Sequence, residues 1–196
     1  MTSVQITFKL RLCVPNTSAI LKPMKILAEI SDGSLGIGEA EKIGENYNLR
    51  KTARAILLND EGKMATQYLQ NYYYHKLPGG GVEEGESLED ALKREILEEV
   101  GCNCLVTDTI GMTVEFRDKY KIVQLSYCFV AKVVGDIGDT QMEAAEIEEG
   151  QITSWLSPEE ALAQMKQDKP GKYEGFFNLK REISFLEEYL SNKKVV

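Results

Sequence analysis

Apolar and polar residues alternate strictly in the first segment of the chain. Between Val4 and Leu12 every second residue is apolar, a pattern typical of a β-strand with one buried face. Turn-forming residues end this segment, and residues 31–48, rich in glycine and charge, predict a loop. We therefore predict an N-terminal extension over residues 1–45, with a strand at 4–12, followed by a main domain over residues 46–196.

The pattern changes after Thr52, where apolar runs alternate with amphipathic segments. Two apolar runs separated by a turn predict a β-hairpin, and a Gly-rich loop then leads into a helix that a serine can cap. The predicted elements are strands at residues 53–58, 63–70, 109–116, 121–134 and 151–155, and helices at 87–100, from 157 onwards and at 178–190. This order indicates an α/β (α+β) domain in which helices pack on a sheet.

The helix predicted at residues 87–100 carries glutamates where its apolar stripe should continue. The stripe begins at Leu88 and, followed in steps of three and four residues, reaches Glu95 and Glu99. Glu98 lies about 60° from Glu95 on the same flank, at ~100° per residue. Carboxylates on a partly buried flank repel each other, and a hard divalent cation such as Mg²⁺ would relieve that repulsion. The alternative interpretation is an exposed acidic face.

Composition restricts the ligands that the chain can bind. Of its 196 residues 43% are hydrophobic, enough for a core, and its net charge of -8 argues against nucleic-acid binding, which usually needs a basic face. Four cysteines without a CxxC pair and a single histidine make a zinc site unexpected. A metal would need oxygen ligands, as Mg²⁺ or Mn²⁺ does. The cysteine pattern predicts a cytoplasmic protein, and no apolar run predicts a membrane span.

Residues 80–102 resemble the Nudix box, written Gx5Ex7REUxEExGU, where U is an apolar residue. Its specified positions are filled by Gly80, Glu86, Arg94, Glu95, Ile96, Glu98, Glu99, Gly101 and Cys102. Cys102 stands where an aliphatic residue is more usual. The chain is thus similar to the Nudix hydrolases over roughly residues 48–192. The resemblance implies a Nudix-type α/β/α sandwich, with a mixed β-sheet between helices.

The same resemblance implies roles for individual residues. In the family, the glutamates at the positions of Glu95, Glu98 and Glu99 bind Mg²⁺ or Mn²⁺. The backbone carbonyl at the position of Gly79 often completes the metal shell. Three further residues, Arg94, Glu86 and Gly80, are expected to support these ligands. Arg94 would orient one of the glutamates.

The reaction implied by the resemblance is attack by water on a phosphorus of a diphosphate linkage. The expected substrate is a nucleoside triphosphate or a related nucleoside diphosphate linked to X. Alternatives are a dinucleoside-polyphosphate hydrolase and a nucleotide-sugar or ADP-ribose hydrolase. A non-catalytic nucleotide-sensing module is the hypothesis from another class, although such modules usually lose box glutamates that this chain keeps. We expect a small-molecule nucleotide partner, no nucleic acid and no membrane, with a homodimer left open.

The sequence specifies the general base and the substrate contacts less closely. The base is either a glutamate of the box or one from the later acidic loop, which contains Glu143, Glu146, Glu148 and Glu149. Candidates for substrate contacts are Arg54, Tyr74 and Tyr120. Arg50, Lys51 and Arg54 could also meet a phosphate, although solvent exposure is the simpler interpretation of these three side chains.

Overall fold

The computed structural model describes residues 24–38 and 46–193. Its strands are β1 (Ile26–Ser31), β2 (Asn48–Leu58), β3 (Met64–Leu69), β4 (Tyr74–Lys76), β5 (Asn103–Arg117), β6 (Ile122–Val134) and β7 (Gln151–Leu156). Its helices are α1 (Asp32–Leu35), α2 (Leu88–Val100), α3 (Ala144–Glu148), α4 (Pro158–Met165) and α5 (Tyr173–Lys193), with a 3-10 turn between β5 and β6. No helix within these described residues has the length and apolar character that a membrane span requires.

One mixed sheet contains all of these strands, in the order β1-β5-β6-β2-β3-β4, with β7 paired to β3. β2 runs parallel to β6 over its whole length, while β5 and β6 are antiparallel. The predicted hairpin of β2 and β3 is confirmed at its turn, where Leu58 faces Met64. The side chain of Asn59 closes this turn, because its Oδ1 accepts from the amides of Glu61 and Lys63, each at 3.0 Å.

Helices cover both faces of the sheet. Alternate residues of β2 point to opposite faces. Ala55 and Leu57 pack in the core beneath α2, whereas Ile56 packs in the second core with residues of α4 and α5. Two apolar cores therefore flank one mixed sheet, which confirms the predicted sandwich.

β1 lies at one edge of the sheet, parallel to β5. It leads into α1, where the buried Asp32 accepts a hydrogen bond of 2.9 Å from the hydroxyl of Tyr173 on α5. The extension expected over residues 1–45 thus contributes a strand to the sheet. It does so because β5 presents an unpaired edge whose amides and carbonyls need partners. The strand predicted at residues 4–12 lies outside the described residues.

Three predicted boundaries differ from the structure. β2 begins at Asn48 rather than residue 53, because it pairs with β6 from its first residue onwards. β5 begins at Asn103 rather than residue 109, because β6 is long enough to pair with it there and places Val134 opposite Asn103. The polar residues Thr107 and Asp108 interrupt the apolar pattern in this part of β5, so the sequence signal begins too late. α5 begins at Tyr173, five residues earlier than predicted.

A charged network is buried between α5 and the sheet. Nη1 of Arg181 donates to Glu115 at 2.9 Å, and Nη2 of Arg181 donates to Glu182 at 2.6 Å. Arg117 completes the network with a bond of 2.5 Å to Glu115. Burial alone would raise the pKa of Glu115, but the guanidinium groups of Arg181 and Arg117 hold that pKa at about 2. The network therefore stays charged, and it ties α5 to β5.

Candidate active site

The Gly-rich loop before α2 lies directly against β2. Its carbonyls at Pro78 and Gly80 accept hydrogen bonds from the amides of Ala55 and Ala53, at 3.1 and 3.0 Å. Gly79 has a φ of 122°, and a Cβ atom there would lie 2.2 Å from the carbonyl oxygen of Ala53. A residue with a side chain cannot occupy this position without moving the strand, so the loop needs glycine here.

Local signals at its two ends define α2. The Ser87 side chain accepts from the amide of Asp90 at 3.1 Å, and Gly101 ends the helix in the left-handed conformation, with a φ of 76°. Between these caps, the apolar side of the helix, including Leu92 and Ile96, is buried against the sheet. This packing fixes the orientation of the helix, and with it the direction of its glutamates.

Arg94 connects the start of the box to the helix. Its Nε and Nη2 donate to the two oxygens of Glu86, at 3.1 and 3.0 Å, and Nη2 also donates to the carbonyl of Gly81 at 3.0 Å. Its Nη1 donates to Glu95 at 2.9 Å. A planar guanidinium with this many partners is held rigidly, and it keeps the carboxylate of Glu95 against Gly80.

Glu99 is the most deeply buried of the three predicted metal ligands, with 1% of its surface exposed. It accepts from Lys76 at 2.9 Å and from the backbone amide of Gly79 at 2.6 Å. Burial alone would raise its pKa, but Lys76, and then Arg54, bring the pKa below its usual value. Sequence reasoning did not single out Lys76. The feature that could have indicated Lys76 is its position at the end of β4, three residues before the first glycine of the loop.

Glu146, on α3, approaches the buried glutamate. Burial, and next hydrogen bonding to the Glu99 carboxylate, raises its pKa to about 7. Of the loop carboxylates considered from the sequence, Glu149 instead pairs with Lys172. The acidic loop therefore delivers one carboxylate to the box.

Glu98 is more exposed than Glu99, with a third of its side chain accessible to solvent. Its nearest cationic atom is Nη1 of Arg94, at 3.6 Å. The Gly79 carbonyl accepts from Arg54, which leaves one of its two lone pairs. Within residues 24–38 and 46–193, no three acidic, His or Cys side chains gather closely enough to hold one metal ion together. Arg94 and Lys76 contribute to this, because Arg94 holds Glu95 beside Glu86 whereas Lys76 holds Glu99.

The donor chemistry nevertheless fits a hard divalent cation. Every candidate ligand is an oxygen, and the negative charges of Glu95 and Glu99 are close enough to raise the pKa of Glu95, although burial is the larger cause. The charge of Glu99 also raises the pKa of Glu146, although burial is again the larger cause. Mg²⁺ and Mn²⁺ bind such carboxylates and would neutralise their repulsion.

A polar cavity of about 220 Å³ adjoins this cluster through Lys76. Two of the substrate-contact candidates, Arg54 and Tyr74, line it. Both are buried, so solvent exposure was the wrong interpretation for Arg54. Tyr120 does not line the cavity, but its hydroxyl donates to Glu174, which does.

The protein is similar in sequence to known hydrolases. The family model described as NUDIX domain matches residues 48–178, well over half of the chain. Nucleoside triphosphatase NudI of Escherichia coli is 36% identical over 89 residues, or 44% of this chain and 63% of that protein. A Caenorhabditis elegans relative named as a nudix hydrolase is 27% identical over 136 residues, covering 65% of this chain and 34% of that protein. The chain matches less than two thirds of the length of either relative.

Solved structures show the same fold. A NUDIX hydrolase from Nitrosomonas europaea superposes with a TM-score of 0.55 at 23% identity, covering 74% of this chain and 91% of that one. A MutT protein from Methanosarcina mazei Go1 gives 0.54 at 20% identity, covering 76% and 99%. The complete box at the start of α2, the sandwich that presents it and the match to the family model lead to one conclusion: the chain belongs to the NUDIX domain family.

Proposed function

We propose that the protein is a Mg²⁺- or Mn²⁺-dependent pyrophosphohydrolase that cleaves the diphosphate linkage of a nucleoside diphosphate linked to X, with nucleoside triphosphates as the leading substrates. The observation that carries this proposal is the position of the box. Glu95 and Glu99 are held on a buried face of α2 by Arg94 and Lys76, and a cation-lined cavity adjoins them.

In this proposal Glu95, Glu98 and Glu99 hold the metal, together with the free lone pair of the Gly79 carbonyl. When bound, the ion would neutralise phosphate charge and make a bound water more acidic. Arg94 is a positioning residue, since it fixes Glu95 and Glu86 without reaching the cavity. Gly80 leaves room for the Glu95 carboxylate, because a Cβ atom there would lie 2.2 Å from it.

Glu146 is the candidate general base. It lies on α3, outside the box, and reaches the Glu99 carboxylate from the side of the acidic loop. From this place its carboxylate could accept the proton of a water that attacks phosphorus beside the box. Glu98, more exposed than Glu95 or Glu99, is the alternative base within the box.

The choice of substrate rests on the comparison with named relatives. The relative named a nucleoside triphosphatase favours nucleoside triphosphates over the alternatives, a dinucleoside polyphosphate and a nucleotide sugar or ADP-ribose. The competing function, a nucleotide sensor without catalysis, is disfavoured because every acidic box position is retained. A sensor would bind nucleotide without turnover, which the following experiment distinguishes.

We expect hydrolysis of at least one member of a nucleotide panel with Mg²⁺ or Mn²⁺, and none in excess EDTA. The panel contains nucleoside triphosphates, dinucleoside polyphosphates, ADP-ribose and nucleotide sugars. Products are identified by chromatography, and hydrolysis in ¹⁸O-labelled water shows which phosphorus is attacked. Full turnover in EDTA would contradict the metal site, while metal-dependent nucleotide binding without any product would favour the sensor.

Alanine at Gly80 tests whether Glu95 must keep its place. The new Cβ atom would displace a flexible carboxylate rather than backbone, so we expect little loss of stability. Catalytic efficiency should fall on the order of 10- to 100-fold, because small displacements of catalytic groups are costly. Alanine at Gly81 is the matched control, since its Cβ would meet only Nη2 of Arg50 at 3.7 Å. Equal activity of the two variants would argue that the position of Glu95 is unimportant.

A further inference from the structure

The cavity beside the box is bounded by β2, β4, the end of β5, β6 and the start of α5. Its walls are mostly charged or amide side chains, and the apolar contribution comes mainly from Leu69 and Tyr74. Such walls suit a charged group better than the flat face of a nucleobase. Five basic residues line the cavity, namely Arg50, Arg54, Lys76, Arg117 and Lys172.

Three of these basic groups already have carboxylate partners. Lys76 pairs with Glu99 at 2.9 Å, and Arg117 pairs with Glu115 at 2.5 Å. Lys172 pairs with Glu149. These groups are neutralised inside the protein, so they do not by themselves call for an anionic ligand.

Arg54 is buried without such a partner. Only 8% of its surface is exposed, and its Nη1 donates to two carbonyls, those of Leu77 and Gly79. Its buried Nε has no hydrogen-bond partner, and no carboxylate among the described residues lies within ion-pair distance of it. A buried guanidinium without a counter-charge is costly. Burial, and next the charge of Arg181, lowers its pKa, whereas the charges of Glu182, Glu99 and Glu95 raise it from beyond ion-pair distance.

Arg50 lies four residues before Arg54, on the same face of β2. It is exposed at the mouth of the cavity and forms no ion pair with any described residue. The acidic residue of the wall that is not paired with a lysine, Glu174, accepts from the hydroxyl of Tyr120. Two guanidinium groups therefore converge on one space without carboxylates of their own.

We propose that this cavity is an anion subsite, in which Arg54 and Arg50 bind a phosphate group that the box does not hold. Guanidinium groups bind phosphate with paired, charge-assisted hydrogen bonds. If the proposed function is correct, the ligand is the terminal phosphate of the substrate, and the subsite favours triphosphates over diphosphates. The same chemistry would also bind free phosphate, and the two sources are separated below.

The first test measures inorganic phosphate binding by calorimetry in excess EDTA, so that no metal-bound phosphate contributes. We expect Arg50→Gln and Arg54→Gln each to weaken binding about tenfold or more, the usual effect of removing a charged hydrogen bond. Lys51→Gln is the matched control, because it removes the same charge from the neighbouring, opposite-facing position of β2. Arg54 also holds the glycine loop, so melting temperatures accompany the titrations. Arg50 makes no such contact, and its variant decides the outcome if Arg54→Gln unfolds.

The second test compares kcat/KM for the triphosphate and the diphosphate of one nucleoside, which differ by the terminal phosphate. We expect the preference for the triphosphate to fall about tenfold in the Arg50 and Arg54 variants and to persist in Lys51→Gln. Loss of phosphate binding with an unchanged preference would assign the subsite to free phosphate instead.

Equal phosphate binding in the wild type, Arg50→Gln and Lys51→Gln would overturn the subsite. Failure of the proposed function gives a different result. In that case the wild type binds phosphate but hydrolyses no nucleotide, and Arg50→Gln still binds phosphate more weakly than the wild type. The subsite would stand in that case, as a site for free phosphate.

Discussion

Replacing Glu98 or Glu99 by glutamine is expected to lower kcat by about 100-fold or more, because a metal ligand that neutralises phosphate acts mainly in the transition state. Glutamine keeps the size of the side chain and removes its charge. Turnover is measured at saturating Mg²⁺, beside Glu89→Gln as the matched control. Glu89 lies on the same helix, has 45% of its side chain exposed and pairs with Lys93. Wild-type turnover in both box variants would show that these glutamates are not metal ligands.

The same two variants should differ in stability without metal. Glu98 is partly exposed and its nearest cation is at 3.6 Å, so its glutamine variant should melt at the wild-type temperature. Glu99→Gln leaves Lys76 charged and almost buried, with 11% of its side chain exposed, and its melting temperature should fall. Repulsion among the glutamates alone would predict the opposite for Glu99. A rise in melting temperature for that variant would show that repulsion outweighs the pair with Lys76.

Arg181→Met is expected to destabilise the protein by about 3–5 kcal/mol, the usual cost of removing one partner from a buried ion pair. Arg181 is completely buried and bonds to both Glu115 and Glu182. Methionine fills much of the same volume, so the loss measures uncompensated charge rather than a cavity. Urea unfolding at neutral pH gives the free energy of unfolding directly.

Lys180→Met is the control for Arg181→Met, since it also replaces a basic residue by methionine, at the preceding, exposed position of α5. We expect it to change the free energy of unfolding by less than about 0.5 kcal/mol. If Arg181→Met is as stable as Lys180→Met, the buried network does not stabilise the fold.

The elements with strong local signals could be predicted from the sequence. α2 begins after Ser87 and ends before Gly101 because caps and apolar periodicity agree there. α4 begins at Pro158 for the same kind of reason, with Ser157 and Glu160 forming a capping box. β1 was missed as part of the sheet, since it is short and its partner β5 lies far along the chain. Parallel pairing over such a distance leaves no local pattern.

In the candidate site too, features with a local sequence signal could be predicted, whereas contacts between distant segments could not. The spacing of the box places Glu95, Glu98 and Glu99 on one flank of a helix, and helix geometry predicts that directly. The contacts of Lys76 and Glu146 with Glu99 depend on how β4 and α3 pack against α2. Sequence spacing contains no information about such contacts between distant segments, and the burial of Arg54 escaped prediction for the same reason.

The buried network and β1 both include residues outside the segment that matches the family model. The family match covers residues 48–178, whereas β1 precedes it and Arg181 follows it. A fragment cut at those limits would lose β1, one of the two neighbours of β5, and would leave Glu115 with Arg117 but without Arg181. Its naked edge would be free to pair with another copy. The elements that complete the sheet and its buried network therefore extend beyond the matched residues on both sides, and excision or fusion should preserve residues 24–193.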